Sequence, residues 1–195
     1  MGKLLERGVD TKCTKIKTGL IEEGKSQSVF LIPFARKCQV YKYYYETGPQ
    51  QREMLIPLVL MQLRWDGTLG FPGGLVNKGE DLIKALIREA KEEFALIINE
   101  KLSKEIKPLS TYSDDSINIH SYYLEVNYEK IKEMQENSFR AKHFYCENQG
   151  CILPQIADFK GKGIKKFLTN NFYLTAKEEL IDLINTENLL NFKLD

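Results

Sequence analysis

The stretch FPGGLVNKGEDLIKALIREAKEEFALII, residues Phe71 to Ile98, joins a glycine pair to a charged, amphipathic segment. From Asp81 to Phe94 the apolar residues recur every three or four positions, which predicts a helix. The residues on its buried stripe are Leu82, Ile83, Leu86, Ile87, Ala90 and Phe94. Before the helix, Phe71-Pro72-Gly73-Gly74 allows a sharp turn where no Cβ would fit. The stretch therefore predicts a tight loop followed by a helix.

Three glutamates share one edge of this predicted helix, because Glu89, Glu92 and Glu93 stand at i, i+3 and i+4. Such like charges repel by roughly a few tenths of a kcal/mol per pair. Lys84 and Lys91 are expected on the other side, so we expect no cation on this edge from the protein itself. A divalent cation would relieve the repulsion, and clustered hard oxygens favour Mg²⁺ or Mn²⁺ over Zn²⁺. With a backbone carbonyl and space for phosphate oxygens at the glycine loop, these acids indicate a polyphosphate site.

Taken alone, the hexapeptide from Arg88 to Glu93 would be more typical of a solvated helix face than of a metal site. The spacing of the residues before it favours the metal site instead. Gly74, Glu80, Arg88-Glu89 and Glu92-Glu93 match the Nudix box, Gx5Ex7REUxEExGU. Six such matches would coincide by chance at roughly 10⁻⁷ per starting position. The chain is therefore identified as a member of the Nudix hydrolase family.

Two positions depart from the box. Ala90 stands where a bulkier aliphatic residue is usual, and Ala95 replaces the glycine that follows the helix. Alanine in a left-handed conformation would cost on the order of 1 kcal/mol. We therefore expect the helix to run on or to end differently here, with no metal ligand lost.

The segment from Pro57 to Phe94 resembles one Nudix branch in particular, that of small-nucleolar-RNA decapping enzymes and inosine diphosphate phosphatases. A weaker resemblance covers residues 28–185. It implies an α/β fold, an α/β/α sandwich around a mixed sheet.

The resemblance also implies site residues. The Gly73 carbonyl, Glu89, Glu92, Glu93 and Glu147 would bind the metal. Glu147 would alternatively serve as the general base on the attacking water, and Arg88 would orient the helix by pairing with Glu80 or a neighbouring acid. The expected catalytic set is Glu92, Glu93, Glu147 and Arg88.

Substrate positions carry over from the same resemblance. Arg64 would fork onto phosphate, Gly74 would leave room for it, and the Phe71 ring would stack on a purine or pack in the core. Ser28 and Glu179 stand where related enzymes carry a histidine and a glutamine, which puts a hypoxanthine preference in question.

The remaining sequence predicts a single domain over residues 1–195, with residues 1–26 as a loose arm. Strands are expected at 28–34, 38–45, 57–65 and 117–126, a turn at Asp66-Gly67 and a short helix over 128–136. Thr175 with Glu178 indicates a capping box that opens a final helix.

For the other candidate site residues, the sequence favours a structural or solvent-exposed role over a functional one. His120 is expected to be a satisfied core histidine, His143 a solvated one, and Trp65 a residue of strand packing. A basic cluster, either a solvated loop or an RNA contact, comprises Lys160, Lys162, Lys165 and Lys166.

Composition bounds the function. A net charge of +1 gives no global basic field for nucleic acid or membrane, and four cysteines without a CxxC pair suit reduced thiols. No apolar run is long enough to span a membrane. We expect a soluble intracellular protein in nucleus or cytoplasm, and the resemblance implies a homodimer.

The functional prediction is a Mg²⁺- or Mn²⁺-dependent hydrolase of a nucleoside-linked diphosphate bond. The leading substrate is 5′-capped RNA, giving a nucleoside diphosphate and 5′-monophosphate RNA. The alternatives are a small-molecule nucleoside diphosphatase or dinucleotide pyrophosphatase, and a Nudix module that binds RNA or a partner without turnover.

Overall fold

The computed structural model describes residues 12–44, 50–159 and 162–194. The strands are β1 Thr14–Ile16, β2 Ser26–Tyr44, β3 Gln50–Val59, β4 Met61–Arg64, β5 Leu69–Gly70, β6 Gly73–Leu75, β7 Lys107–Ser113, β8 Ile117–Glu125, β9 Asn148–Ile152, β10 Asp158–Phe159 and β11 Lys162–Gly163. The helices are α1 Leu82–Phe94, α2 Glu100–Ser103, α3 Tyr128–Asn137, α4 Ile164–Phe167 and α5 Ala176–Thr186, with a 3₁₀ turn at Ser138–Arg140.

The main sheet is mixed and has the order β1-β7-β8-β2-β3, with β6 added to β2. Strands β2 and β8 run parallel, whereas the other pairs in this sheet are antiparallel. A smaller sheet has the order β5-β4-β9, and the glycine loop follows β5 along the chain. The long strand β2 thus holds the main sheet together.

The side chains of β2 alternate between two cores, because successive residues of a strand point to opposite faces. Val29 and Leu31 pack in one cluster with α1 and α3, and Phe30 and Ile32 pack in another with α5. Helices therefore cover both faces of the sheet, and the predicted α/β sandwich with a mixed sheet is confirmed. No helix within the described ranges is long and apolar enough to cross a membrane.

Three expectations need correction. The loose arm is wrong from Thr14 onward, since β1 pairs with β7 and Lys15 Nζ lies 2.6 Å from Asp182 Oδ1; residues 1–11 lie outside the described ranges. The strands predicted at 28–34 and 38–45 form one strand as far as Tyr44, with an irregularity after Ala35, and Tyr45 lies outside the described ranges. Thr175 opens α5 as predicted but forms no capping bond, because its hydroxyl bonds to Glu179 instead, 2.7 Å away.

Candidate active site

Helix α1 begins and ends at specific backbone caps. The Asp81 carboxylate accepts from the amides of Ile83 and Lys84, at 2.9 and 3.2 Å, as N-cap residues do. At the other end Ala95 adopts the left-handed conformation, φ 51° and ψ 25°, and Leu96 N–H donates to Ala90 O over 3.2 Å. The expectation that the helix would run on or end differently is wrong. It ends where the family glycine would end it, with alanine carrying the strain.

The glycine loop lies against both the sheet and the helix. A Cβ at Gly73 would come within 2.0 Å of the Val29 carbonyl oxygen, and one at Gly74 within 2.7 Å of Glu89 Oε1. Gly73 N–H donates to Glu93 Oε2 over 2.9 Å. Only glycine permits this approach, and it brings the loop directly onto the acidic edge of α1.

Arg88 pairs with Glu80, as predicted, through two bonds of 3.0 Å from Nε and Nη2. Nη2 also donates to Leu75 O, and Nη1 lies 2.6 Å from Glu89 Oε1. This pairing lowers the pKa of Glu80 to about 2. The planar guanidinium thus links Glu80 in the loop before α1, Leu75 in β6 and Glu89 in α1.

The acidic edge is partly neutralised, which corrects the expectation that no cation reaches it. Arg88 lies 2.6 Å from Glu89 and 3.6 Å from Glu92, and Lys142 Nζ lies 2.6 Å from Glu92 Oε1. Lys142 lowers the pKa of Glu92, whereas burial raises that of Glu89 against the opposing effect of Arg88. Two of the three glutamates therefore have a basic partner.

Glu93 has no such partner among the described residues. Its side chain is 0% exposed, and its Oε1 is buried without a hydrogen bond. Burial raises its pKa well above the ordinary value, and the nearby carboxylates of Glu147 and Glu89 add to the rise. A buried carboxyl group with a free oxygen is costly unless something binds it.

A segment from a distant part of the chain completes this edge. His143 N–H donates to Glu92 O over 3.0 Å, and Asn148 Nδ2 donates to Glu93 O over 3.1 Å. These bonds satisfy carbonyls of the last helical turn, which have no partner within a helix. They bring Glu147 and His143 to Glu93, and donor atoms of all three lie within 4.8 Å of one another.

His143 is the residue that the sequence interpretation missed. Its Nδ1 is buried without a hydrogen bond and lies 3.9 Å from Glu147 Oε1, and 23% of its side chain is exposed, so the histidine is only partly solvated. Its spacing of four residues from Glu147 was the one available signal. His120 is a satisfied core histidine as predicted, between Thr111 at 3.2 Å and Gln27 at 2.8 Å.

The acidic edge opens into a cleft of about 540 Å³. Glu89, Glu92, Arg88, Gly73, Gly74, His143 and Glu147 line it together with Phe30, Arg64, Trp65, Leu75, Asn77, Cys146 and Tyr173. The Arg64 guanidinium lies 3.8 Å from the centre of the Tyr173 ring, and Trp65 is 50% exposed. Trp65 is thus an exposed wall of the cleft and not a residue of strand packing.

Ser28, Phe71 and Glu179 do not line this cleft, and the substrate contacts expected of them stay predictions. Ser28 is 0% exposed and donates to Asn118 O, and Phe71 is 1% exposed in the core, the alternative expected for it. Glu179 is 2% exposed and bonded to Thr175. All three are buried in this conformation.

The basic cluster is described only in part. Lys165 Nζ lies 3.5 Å from Asp158 Oδ2 and 4.8 Å from the centre of the Phe192 ring, and Lys166 is exposed. Lys160 and the side chain of Lys162 lie outside the described residues. Lys165 and Lys166 are not among the residues that line the cleft.

A family model described as Nudt16-like, U8 snoRNA-decapping enzyme-like, matches residues 39–190. The chain belongs to this family. The predicted membership of the Nudix hydrolases is thus confirmed. The cleft therefore belongs to a member of an enzyme family.

Named relatives agree with this assignment. This Nudix hydrolase is 40% identical to the U8 snoRNA-decapping enzyme of Homalodisca vitripennis over 115 residues, which cover 57% of the chain and 62% of the relative, just under two thirds of its length. It is 30% identical to that of Mus musculus over 160 residues, covering 75% and 80%. It is also 26% identical to the Tudor-interacting repair regulator protein of Mus musculus, covering 75% and 72%.

Solved structures support the fold of this Nudix hydrolase. A MutT/nudix family protein from Enterococcus faecalis superposes with a TM-score of 0.56 at 16% identity, over 87% of this chain and 64% of that one. Another from Listeria innocua superposes with a TM-score of 0.50 at 16% identity, over 87% and 100%. At these identities the likeness concerns the fold alone.

Proposed function

We propose that this Nudix hydrolase cleaves a nucleoside-linked diphosphate bond with Mg²⁺ or Mn²⁺, and that its substrate is the 5′ cap of an RNA. The products are a nucleoside diphosphate and a 5′-monophosphate RNA. The relatives named as U8 snoRNA-decapping enzymes support the choice of substrate.

The observation that carries the proposal is the carboxyl group of Glu93. It is fully buried, one of its oxygens has no partner among the described residues, and Glu89 and Glu147 add negative charge beside it. Neither packing nor stability accounts for an acid in this position, because its burial costs free energy. A bound divalent cation would supply the missing partner.

The donor set fits such a cation. Glu89, Glu92, Glu93, Glu147 and the Gly73 carbonyl would supply hard oxygens, and His143 would add one nitrogen. When bound, the metal neutralises phosphate charge and lowers the pKa of a water molecule.

The other roles belong to the chain's own residues. The fork of Arg88 onto Glu80 and Glu89 fixes the position of α1 relative to the glycine loop. Glu147, at the cleft wall, would accept the proton of the attacking water. Arg64, held on the Tyr173 ring, would bind a phosphate oxygen, and Trp65 would stack on a base.

The first test is Glu93→Gln, which keeps the volume of the side chain and removes its charge. We expect hydrolysis in Mg²⁺ or Mn²⁺ to fall by at least roughly 100-fold, as for a residue that holds both metal and substrate charge in place. Glu105→Gln, at an exposed acid that does not line the cleft, is the matched control. Undiminished turnover by Glu93→Gln, measured as phosphate-containing product, would show that the assigned site is wrong.

The choice of substrate is tested on a panel of capped RNA, nucleoside di- and triphosphates, and dinucleotides. Turnover of small molecules without any of capped RNA would move the assignment to a nucleoside diphosphatase or dinucleotide pyrophosphatase.

A binding module is the second candidate, favoured by the likeness to the Tudor-interacting repair regulator protein. RNA binding without turnover of any panel member would support it. The intact acidic edge and the unpartnered oxygen of Glu93 argue for hydrolysis. The homodimer and the nuclear or cytoplasmic location stay predictions drawn from the resemblance.

A further inference from the structure

The segment that completes the acidic edge also displays three aromatic rings at the protein surface. Phe139 is 59% exposed and Tyr145 is 78% exposed, and half-buried Phe144 lies between them. The ring centres of Phe139 and Phe144 are 5.2 Å apart, and those of Phe144 and Tyr145 are 4.3 Å apart, both edge-to-face. Single exposed aromatic residues are ordinary, but a contiguous group of three is not.

The backbone holds the outermost ring in place at some cost. Tyr145 has φ 71°, a left-handed conformation that is uncommon for a residue other than glycine. Its N–H donates to Asn148 O over 2.8 Å, and Gln149 Nε2 donates to its carbonyl over 3.4 Å. The strained residue is thus fixed by hydrogen bonds, and its side chain is directed to the solvent.

The rings are close to the cleft along the chain, because residues on both sides of Phe144 and Tyr145 line it. His143, Cys146 and Glu147 are cleft residues, and Tyr145 stands among them in sequence with its ring exposed. A substrate that is cleaved beside Glu147 and extends beyond the cleft wall would therefore pass these rings. The surface over residues 138–146 that carries them is called the rim below.

The charge of the rim suits an anionic chain. Residues 138–146 include Arg140, Lys142 and His143 and no acidic residue. Arg140 is exposed, and Lys142 reaches back to Glu92. Aromatic faces interleaved with cations are the usual means of holding single-stranded nucleic acid, because every base has a face that stacks.

We propose that Phe139, Phe144 and Tyr145 form a stacking platform for the first unpaired nucleotides of an RNA whose 5′ end lies in the cleft. The proposal rests on the proposed function for the position of the 5′ end. The platform holds the RNA product by its bases, while Arg140 contacts its backbone. It adds affinity for the RNA chain without contributing to the hydrolysis of the diphosphate bond.

The test compares binding and turnover in matched variants. Binding is measured as fluorescence anisotropy of a 5′-monophosphorylated single-stranded RNA, without metal. Turnover is measured on a capped RNA and on the corresponding free cap dinucleotide. Tyr145→Ala should weaken RNA binding roughly 5- to 20-fold and raise KM for capped RNA by a similar factor, with kcat and turnover of the free dinucleotide unchanged.

Further variants separate stacking from other causes. Tyr145→Phe keeps the ring and should bind RNA as the wild type does, whereas Tyr145→Leu keeps an apolar side chain and should bind as weakly as Tyr145→Ala. Phe139→Ala should act in the same direction. Tyr128→Ala is the matched control, since this ring also has a cation beside it, Lys132 at 5.1 Å, but lines a different surface.

The outcomes distinguish the platform from the proposed function. RNA binding that depends on the ring, without turnover of capped RNA, would keep the platform and remove the decapping activity. Turnover of capped RNA with unchanged KM and unchanged RNA affinity in Tyr145→Ala would overturn the platform. A change from dimer to monomer in light scattering, with RNA affinity unchanged, would show instead that the rings join two copies of the chain.

Discussion

Glu179 is a carboxyl group buried beneath the protein surface, where its Oε1 accepts a hydrogen bond from the Thr175 hydroxyl over 2.7 Å. Burial raises its pKa from 4.5 to about 7, and the negative charges of Glu178 and Asp182 add to the rise. The folded protein therefore binds this proton more tightly than the unfolded chain does. The resulting stability is fully present below pH 4.5 and is lost as the pH rises through about 7.

Replacing Glu179 by glutamine should remove this pH dependence and keep the bond to Thr175. The free energy of unfolding of wild type relative to Glu179→Gln should fall by up to about 3 kcal/mol between pH 5 and pH 8. Urea unfolding at both pH values, in the presence of a chelator, measures the difference. A constant difference between the two proteins would show that Glu179 titrates normally.

His143 gives a second prediction at the scale of the residue. Its Nδ1 faces Glu93 and Glu147 without a hydrogen bond among the described residues, and imidazole binds Mn²⁺ better than Mg²⁺. His143→Gln should therefore weaken Mn²⁺ binding at least about 10-fold, and Mg²⁺ binding less. Calorimetric titration of each ion measures this. Equal Mn²⁺ affinities in His143→Gln and wild type would exclude His143 as a ligand, and His120→Gln controls for loss of a buried histidine.

At the scale of the element, α1 retains a strained end. Ala95 holds the left-handed cap at φ 51°, where a Cβ is unfavourable. The hydrogen bond from Leu96 to Ala90 and the bonds from His143 and Asn148 to the last turn keep the helix end in place. Tertiary contacts therefore fix a cap that the local sequence does not favour.

Ala95→Gly should stabilise the protein by about 0.5–1 kcal/mol, because relief of the strained φ exceeds the entropy that glycine adds to the unfolded chain. The same change in the interior of the helix, Ala85→Gly, should destabilise it by about 1 kcal/mol or more. Denaturant midpoints of the two variants, with unchanged slopes, measure both effects. If Ala95→Gly also destabilised the protein, the cap would not be strained.

At the scale of the whole molecule, local patterns predicted the parts that are local. The periodicity of residues 81–94 predicted α1, and the box predicted the pairing of Arg88 with Glu80, eight residues away. Strand β1 was missed because its partner Ser113 lies far along the chain and Thr14–Ile16 carries no apolar run. His143 was missed for the same reason, since its contact with Glu92 is made only by the fold.

The long strand β2 has a consequence for synthesis on the ribosome. Ser26 pairs with Ile117 and Phe34 with Glu125, so the parallel partner of β2 emerges about 90 residues later. At about 5–20 residues per second, the apolar run from Val29 to Phe34 waits for roughly 5–20 s with that edge uncovered. Throughout this interval the nascent chain exposes an unpaired strand edge, which another chain can pair with or a chaperone can bind.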